Sequence, residues 1–557
     1  MSASQAAAGD AALVNVTFEG KPCAVPAGKT VAAALLGDAH AGYTSIHPLT
    51  GERRAPFCMM GTCFECLVEI DGQPNRQACL TIVREGMDIK RQYPAGAMIR
   101  QWDALVIGAG PAGLRAASVI AESGLEVVLV DEQAFPGGQI YRHVTAPGAE
   151  ERFAEAADYR DGTELVRRFR RSGAEYLPET TVWFLEQDRI LASRGEEVLD
   201  LRARNVIIAV GAMERPVPFR GWTLPGVMNA GAGDILLKTA GLLPETPVVL
   251  AGSGPLLYLV ASHLIRKGHP LAAVLDQTPP SNMLKAAPHL PAGLLGLPLL
   301  LRGLSMLNDV RKSGTPVYRD VSGIEAQGAD RLERVSFFSK GTAHTLEAAT
   351  LLYHGGVIPR THMANALDLP HHWDARQQCW TVACDGCGRT AREGVYVAGD
   401  CSRVRGAAVA GIAGELAGLA VAERQEGIGP EEFRRRSAPL QRSLAVQTAS
   451  KAFLDAWFSP RKDLYAVPDD VAVCRCENVS AADIREAVRD GLTDINEVKL
   501  RTRAGMGNCQ GRTCGPALAA IAAETAGRAI PDMGRLHVRS PLRPVPLSAL
   551  LRLPETK

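Results

Sequence analysis

The sequence predicts an α/β fold with two dinucleotide-binding domains, one threaded through the other. A β-grasp domain is expected in front of them and a small helical domain behind. Three observations carry this. A complete Gly-x-Gly-x-x-Gly run starts at Gly108, a partial one follows at Gly252, and two groups of four cysteines lie toward the two ends. The length of 557 residues fits three to four domains at roughly 150 residues each. Apolar residues make up 46% and charged residues 22%, an ordinary globular composition that excludes intrinsic disorder. Lys plus Arg (61) balances Asp plus Glu (60), which argues against a nucleic-acid binder or a polybasic membrane protein. Thirteen cysteines, an odd number in a long chain, do not look like a disulfide scaffold. The first twenty residues show no basic segment followed by an apolar one, so no secretory signal is expected. The longest apolar run, Pro291 to Leu301, is too short for a membrane span and meets Arg302. A buried helical hairpin or a partner-docking surface is expected there. A cytoplasmic location with reduced thiols follows as the expectation, and the cysteines then need another role.

The N-terminal elements come first. VNVTFEG and KPCAVPAG read as two short strands turning at Gly20, and KTVAAALLGDAH reads as a helix. Cys58, Cys63, Cys66 and Cys79 follow with C-x4-C-x2-C spacing and a fourth Cys after twelve more residues, the plant-type [2Fe–2S] pattern. Strand–turn–strand–helix followed by a cysteine loop resembles the β-grasp ferredoxin domain. A zinc site is the alternative, because C-x2-C is common there. The x4 spacing and the single long return favour iron–sulfur.

The next segment runs from Asp103 to Glu132. Strand ALVIG feeds Gly108-x-Gly110-x-x-Gly113, with Pro111 and Ala112 entering an Ala-rich helix, and a second strand ends at Asp131. Gly108 permits the tight turn, Gly110 lets a pyrophosphate approach the backbone, and Gly113 packs helix on strand. The helix N-terminus favours the pyrophosphate charge. Asp131 is the preferred acceptor for a ribose hydroxyl, and Glu132 should face the other way along the strand. The motif alone leaves FAD or NAD open. Three later segments favour a flavin: PGGQIYR with Gly138 and Gln139, VIIAVGAMERPVP with Ala209 and Gly211, and GVYVAGDCSRVRG with Gly399 and Asp400. In flavoproteins of the glutathione-reductase-like type, which this order resembles, the last Asp holds the ribityl chain of FAD.

PVVLAGSGPLLYLVASHLIRKG supplies the second half, with Gly252 and Gly254 but Leu257 in place of the third glycine. Helix and strand should then sit further apart. Asp276 is a candidate ribose acid. The degenerate motif leaves an adenine nucleotide (NAD, ADP or ATP) and an empty fold equally open.

Near the C-terminus, Cys474, Cys476, Cys509 and Cys514 are spaced C-x-C, thirty-two residues, C-x4-C. SAADIREAVRDG between them reads as a helix capped by Ser480 and ending at Gly491. This arrangement resembles the bacterioferritin-associated-ferredoxin domain, which binds [2Fe–2S]; zinc is again the alternative. Of the remaining cysteines, Cys384 and Cys387 form a C-x2-C with no helix after it, so a redox dithiol is not expected, and with Cys379 close by an unforeseen metal site stays open.

The domain reading is 1–100 for the ferredoxin-like domain, 101–240 and 350–430 for the flavin domain, and 241–349 for the inserted nucleotide domain. A helical bridge (431–469), the second cluster domain (470–535) and a C-terminal tail (536–557) complete it. RAPFCMMGTCFECLVEIDG, LVDEQAFPGGQIYR, VIIAVGAMERPVPFRGWTLPGV and VCRCENVS…GMGNCQGRTC jointly resemble the α subunits of hetero-oligomeric flavin amine dehydrogenases. These include opine oxidase, dye-linked proline and hydroxyproline dehydrogenase, hydrogen cyanide synthase and sarcosine oxidase. The resemblance implies FAD and two [2Fe–2S] clusters on this chain. It also implies a β subunit of the D-amino-acid-oxidase type, with its own FAD, that oxidises the amine, and an external electron acceptor. An FMN at the subunit interface stays open. No cysteine follows Gly137-Gly138, so disulfide-reductase chemistry is not expected there. Two other readings compete: a self-contained NAD(P)H-dependent reductase and a structural subunit.

Overall fold

The computed structural model describes residues 12–39, 43–46, 53–60, 65–91, 101–149, 157–186, 189–195, 197–547 and 550. The chain divides into two compact units, 1–100 with 550–557, and 101–549.

In the first unit, Leu13–Phe18 and Lys21–Pro26 form an antiparallel hairpin whose turn places Gly20 at φ +71°. Alternation along LVNVTF sends Val16 and Phe18 into the core. Helix Val31–Gly37 starts at Thr30, whose hydroxyl accepts from the Ala33 amide at 3.2 Å. Leu13–Phe18 also pairs in parallel with Asp88–Arg91, which continues antiparallel to Leu67–Ile70 and then to Gln73–Gln77. Val25, Val31, Leu35, Val68 and Ile89 fill the space between helix and sheet, together with Cys66 and Cys79.

The second unit is built on two sheets. The first has five parallel strands in the order Glu175–Leu177, Val127–Val130, Gln101–Ile107, Val206–Ile208 and Val395–Val397. The N-terminal part of Glu197–Ile208 runs on as an antiparallel meander with Arg189–Arg194 and Thr180–Leu185. Helices Pro111–Glu122 and Ala407–Arg424 pack on this sheet and on each other. Their approach depends on glycine: a Cβ at Gly414 would stand 2.0 Å from the Ala112 carbonyl oxygen.

The second sheet is all parallel, in the order Val227–Asn229, Thr350–His354, Val248–Gly252, Ala273–Asp276 and Val317–Arg319. Its three central strands, Thr350–His354, Val248–Gly252 and Ala273–Asp276, are almost wholly buried, as expected for a parallel sheet covered on both faces. Between its last two strands the chain makes a helical excursion, Ser281–Ala286, Leu290–Leu294 and Leu297–Lys312. Gly293 and Gly296 seat this excursion on the long helix Pro430–Trp457, against Phe453 and Ser450. The apolar run is therefore helical, as expected, but only one side of it is covered. Leu294, Leu295, Leu301 and Leu304 are each more than half exposed.

The C-terminal cluster segment packs helices Ala481–Arg489, Ile495–Thr502 and Gly515–Ala526 around Ile484, Val498, Leu518 and Ile521. Ser480 caps the first through a reciprocal box with Asp483. The tail after His537 lies along the body: the Leu542 amide donates to the Trp183 carbonyl at 2.5 Å, and Arg543 pairs with Glu132 at 2.7 Å. Among the described residues no helix is long and apolar enough to cross a membrane.

Candidate functional site

The first glycine turn joins strand Gln101–Ile107 to helix Pro111–Glu122. Gly108 sits at φ +107°, a region that side chains disfavour, and a Cβ there would meet the Ala209 carbonyl oxygen at 2.6 Å. A Cβ at Gly113 would stand 1.8 Å from the Gly108 carbonyl oxygen, so only glycine lets the helix lie so close. Gly110 is the N-cap and has no side chain to satisfy the first-turn amides. Pro111 follows at the first helical position, where its missing N–H costs nothing. These amides are left for an anion. Gly138 comes within contact of Gly110: a Cβ on Gly110 would stand 3.8 Å from the Gly138 Cα. Gln139 follows it in the same turn, and Ala112 is buried under Gly399.

Asp131 lies at the end of strand Val127–Val130. Its Oδ2 accepts from the Ala109 amide at 2.5 Å and its Oδ1 from the Gln133 amide at 2.7 Å. Burial pushes this carboxyl up, against the pull of those two amides. Each carboxylate oxygen retains a lone pair for a hydroxyl donor. Glu132 faces elsewhere and is taken by Arg543 at 2.7 Å and Arg360 at 3.8 Å. No sequence signal pointed to Arg543, which reaches Glu132 from the tail. Gly399 begins a short 3-10 turn through Cys401, and a Cβ there would collide with Ala112 Cβ at 2.7 Å. The Asp400 Oδ1 accepts from the amides of Arg405 and Gly406, at 2.8 and 3.1 Å, and so holds the loop that enters helix Ala407–Arg424. Burial raises this carboxyl too. Gly211, at φ +69°, accepts from the Arg360 amide at 3.1 Å. The structure thus brings Gly108, Gly110, Gly113, Gly138, Ala209, Gly399 and Asp131 around one turn. A cradle in which Gly108, Gly113, Gly138 and Gly399 each exclude a Cβ, with Gly110 open beside them, fits a dinucleotide laid on the backbone.

The second turn has the same backbone and different neighbours. Gly252 and Gly254 take φ +134° and +126°. Leu257 is fully buried with Val248, Leu250 and Leu352. A Cβ on Gly254 would meet His354 Nε2 at 3.2 Å, so an imidazole stands on the side the glycine leaves open. His354 is itself buried and its Nδ1 is 2.6 Å from Glu214 Oε1, while Glu214 Oε2 accepts from the Gly231 amide at 2.7 Å. Asp276 is also engaged: Tyr258 donates to its Oδ2 at 2.6 Å and the Thr278 amide to its Oδ1 at 2.8 Å.

The C-terminal cysteines assemble as two pairs. Cys476 Sγ lies 3.7 Å from Cys509 Sγ. A hydrogen bond from Cys514 lowers Cys474 to about 5, helped by the amides of Gly505, Glu477 and Cys476, and the same contact raises Cys514. Gly507 admits this packing, since a Cβ there would stand 2.2 Å from Cys476 Cβ. Among the described residues no three His, Cys, Asp or Glu side chains converge on a single ion. Two pairs of thiols under amide donors fit a two-iron cluster, in which each iron takes two of the four.

At the other end, Cys66 and Cys79 are buried in the first unit and Cys58 is half-buried, with the Met60 amide 3.5 Å from its sulfur. Cys63 lies outside the described residues. Cys384 is exposed while Cys387 is buried, and burial pushes the Cys387 thiol up. Burial likewise raises Cys379 to about 11 and Cys401 to about 12, which keeps them as inert thiols.

Comparison with known proteins gives three family matches. Residues 11–94 match a 2Fe-2S iron-sulfur cluster binding domain, 102–421 the pyridine nucleotide-disulphide oxidoreductases, and 472–524 a BFD-like [2Fe-2S] binding domain. The chain is similar to an opine oxidase subunit of Rhizobium meliloti, with 37% identity covering 84% of this chain and 91% of the relative. It is similar to hydrogen cyanide synthase subunit HcnB of Pseudomonas aeruginosa, with 32% identity over 81% of this chain and 98% of that one. The L-proline dehydrogenase structure from P. horikoshii shares the fold at a TM-score of 0.58 and 19% identity, covering 98% of both chains.

Proposed function

The chain belongs to the pyridine nucleotide-disulphide oxidoreductase family and, within it, to the family of the Rhizobium meliloti opine oxidase subunit, and from that membership we propose that it is the electron-transfer subunit of an amine or imino-acid dehydrogenase. A partner subunit of the D-amino-acid-oxidase type oxidises a CH–NH or CH–NH2 donor, and this chain takes the electrons to an external acceptor. FAD binds at the first turn. Gly108, Gly110, Pro111, Ala112 and Gly113 lie under its pyrophosphate, and Asp131, with Glu132 beside it, lies near the ribose. Gly138, Gln139, Ala209, Gly211, Gly399 and Asp400 line the rest. Cys474, Cys476, Cys509 and Cys514 hold one [2Fe–2S] cluster, and Cys58, Cys63, Cys66 and Cys79 the other. When bound, the flavin supplies conversion between two-electron and one-electron transfer, and the clusters supply one-electron steps. The residues of the chain bind, orient and exclude water. First-turn amides meet the phosphate charge, Asp400 fixes the loop that starts helix Ala407–Arg424, and the thiol pairs wait under backbone N–H groups.

The observation that carries this reading is His354 at the second turn, where a nicotinamide dinucleotide would lay its pyrophosphate. A reductase fed by NAD(P)H needs that turn open. The exposed leucines of 290–307 support the partner, since many large apolar side chains exposed along neighbouring helices mark a docking face. The decisive experiment mixes the isolated chain anaerobically with NADH or NADPH, and separately with its partner and an amine. Flavin bleaching by the partner's substrate alone is expected; rapid bleaching by NAD(P)H would overturn the proposal. Cofactor extraction from the complex reads whether FMN at the interface, or an adenine nucleotide such as NAD or ATP at the second turn, accompanies FAD. Cys63→Ser is expected to remove the N-terminal cluster signal and leave the flavin bound.

A further inference from the structure

A cavity of ≈ 120 Å³ lies within the second unit and shares no lining residue with either glycine turn. The segment Ile358–Asn365, the hairpin Trp373–Trp380 and the loop between Cys509 and Cys514 surround it. The cavity is open on one side, so it suits a small planar molecule whose polar group extends toward the opening. Its apolar side is Trp373 and Trp380, with ring centroids 5.4 Å apart at 69°, backed by Met213, Ile358, Leu536 and Val538.

The polar side is unusual. Arg512 and Arg535 line the cavity, and no Asp or Glu does. Arg512 donates only to the carbonyls of Cys509 and Leu542, at 3.1 and 2.8 Å. Arg535 reaches only the Asn365 amide oxygen, at 3.5 Å, and His371 Nδ1, and it lies over the Trp380 ring at 5.8 Å. A third guanidinium stands just behind the wall. Arg215 is 1% exposed, has no carboxylate partner, and donates to the carbonyls of Gln377 and Gln378. Its Nε has no hydrogen-bond partner. Beside it Tyr465, 7% exposed and part of the wall, sets its hydroxyl next to the Arg215 guanidinium without forming a well-aligned hydrogen bond to it. Helix Gly515–Ala526 begins at the same wall and adds the positive end of its dipole. Arg512 and Arg535 are half-buried and Arg215 behind them is fully buried, and cations held this far from water without a carboxylate are costly.

We propose that this cavity is a binding site for a small planar monocarboxylate, its ring against the two tryptophans and its carboxylate toward Arg512 and Arg535. Carboxylate geometry matches the guanidinium fork, and the ring fills what the charged groups cannot. The site shares no residue with the flavin turn, although Gly511 and Arg512 of its wall lie between Cys509 and Cys514; its test reads ligand affinity and not electron transfer, so the two readings fail separately.

The test is isothermal titration of the full chain with 2-furoate and with neutral 2-furamide as probes. Saturable binding of 2-furoate is expected, with 2-furamide at least about tenfold weaker, since the charge-assisted bonds are lost. Arg535→Gln should weaken 2-furoate at least about tenfold, and Arg535→Lys should restore part of it. Equal affinity for the two probes would overturn the proposal. So would the absence of saturable binding, displacement by an equal concentration of sulfate, or undiminished binding in an Arg535→Gln protein that melts like the parent. If Arg535→Gln does not fold, Trp373→Leu carries the test. It removes one of the two rings the ligand lies against and should weaken 2-furoate about threefold or more, and unchanged affinity there overturns the proposal equally.

Discussion

The two glycine turns differ less in backbone than in what stands beside them. At Gly110 the neighbour is another glycine, whose Cα would lie 3.8 Å from an added Cβ. At Gly254 the neighbour is the His354 imidazole, 3.2 Å from an added Cβ and held by Glu214. The acids that follow differ too. Asp131 takes two backbone amides, whereas Asp276 is taken by the Tyr258 hydroxyl. The crossovers after the second strand of each sheet extend the contrast. In the first domain it brings the Gly137-Gly138 turn over the cofactor cradle, and in the second it carries the leucine-rich helices to the surface. A fold repeated within one chain can keep its geometry and divide its duties, one copy serving a cofactor and the other a partner.

The largest break in this contrast is expected from Gly113→Val. Its Cβ would stand 1.8 Å from the Gly108 carbonyl oxygen, so the turn must open, at a cost of about 3 kcal/mol or more, and the purified chain should lose its flavin absorbance. Leu257→Gly at the matching position should lower the melting temperature through a cavity yet leave flavin content unchanged. Next comes the docking face. Leu294→Asp with Leu301→Asp places two charges on exposed helix positions and should leave the melting temperature within a degree or two. Affinity for the partner subunit, measured by surface-immobilised titration, should fall at least about a hundredfold. His354→Ala with Glu214→Gln removes the imidazole without stranding the carboxylate. Binding of ADP-ribose at the second turn should rise about tenfold with the flavin spectrum unaltered, and no change would show that more than His354 closes this turn.

The smallest effect concerns pH. Burial first, and then nearby Arg512, depress His362 to about 3 from an ordinary 6.5. The unfolded chain therefore binds a proton below 6.5 that the folded chain refuses, so stability is complete above 6.5 and declines as pH falls toward 3. Near pH 5.5 the decline from this residue is about 1.4 kcal/mol, and His362→Gln should flatten the pH dependence of the unfolding free energy, read by denaturant titration, by that amount.

Much of the architecture was legible because it rests on neighbours in sequence. The Gly20 hairpin, the Thr30 cap and the capping box at Ser480 are settled within four residues of chain. The strand into Gly108 and the helix after it obey the same local rules. The candidate site was legible only in part. The spacing of Cys474, Cys476, Cys509 and Cys514 marks a metal group, yet their pairing, Cys476 with Cys509 and Cys474 with Cys514, follows from how helix Gly515–Ala526 folds back. The apolar run at 291–301 was readable as helix, but its exposure depends on Phe453 and Ser450 covering only one side.

By itself, then, the sequence determined the turns, the caps, the two cysteine groups and the flavin-type order of glycine segments. Positive φ and close backbone approach admit few residues other than glycine, and thiol spacing is written along the chain. Tertiary structure alone decided that His354 would stand at the second turn, that Arg543 would reach Glu132 from 411 positions away, and that three arginines without carboxylates would gather about one cavity. Those outcomes depend on which side chains meet across separate strands and domains, and no local pattern encodes such a meeting.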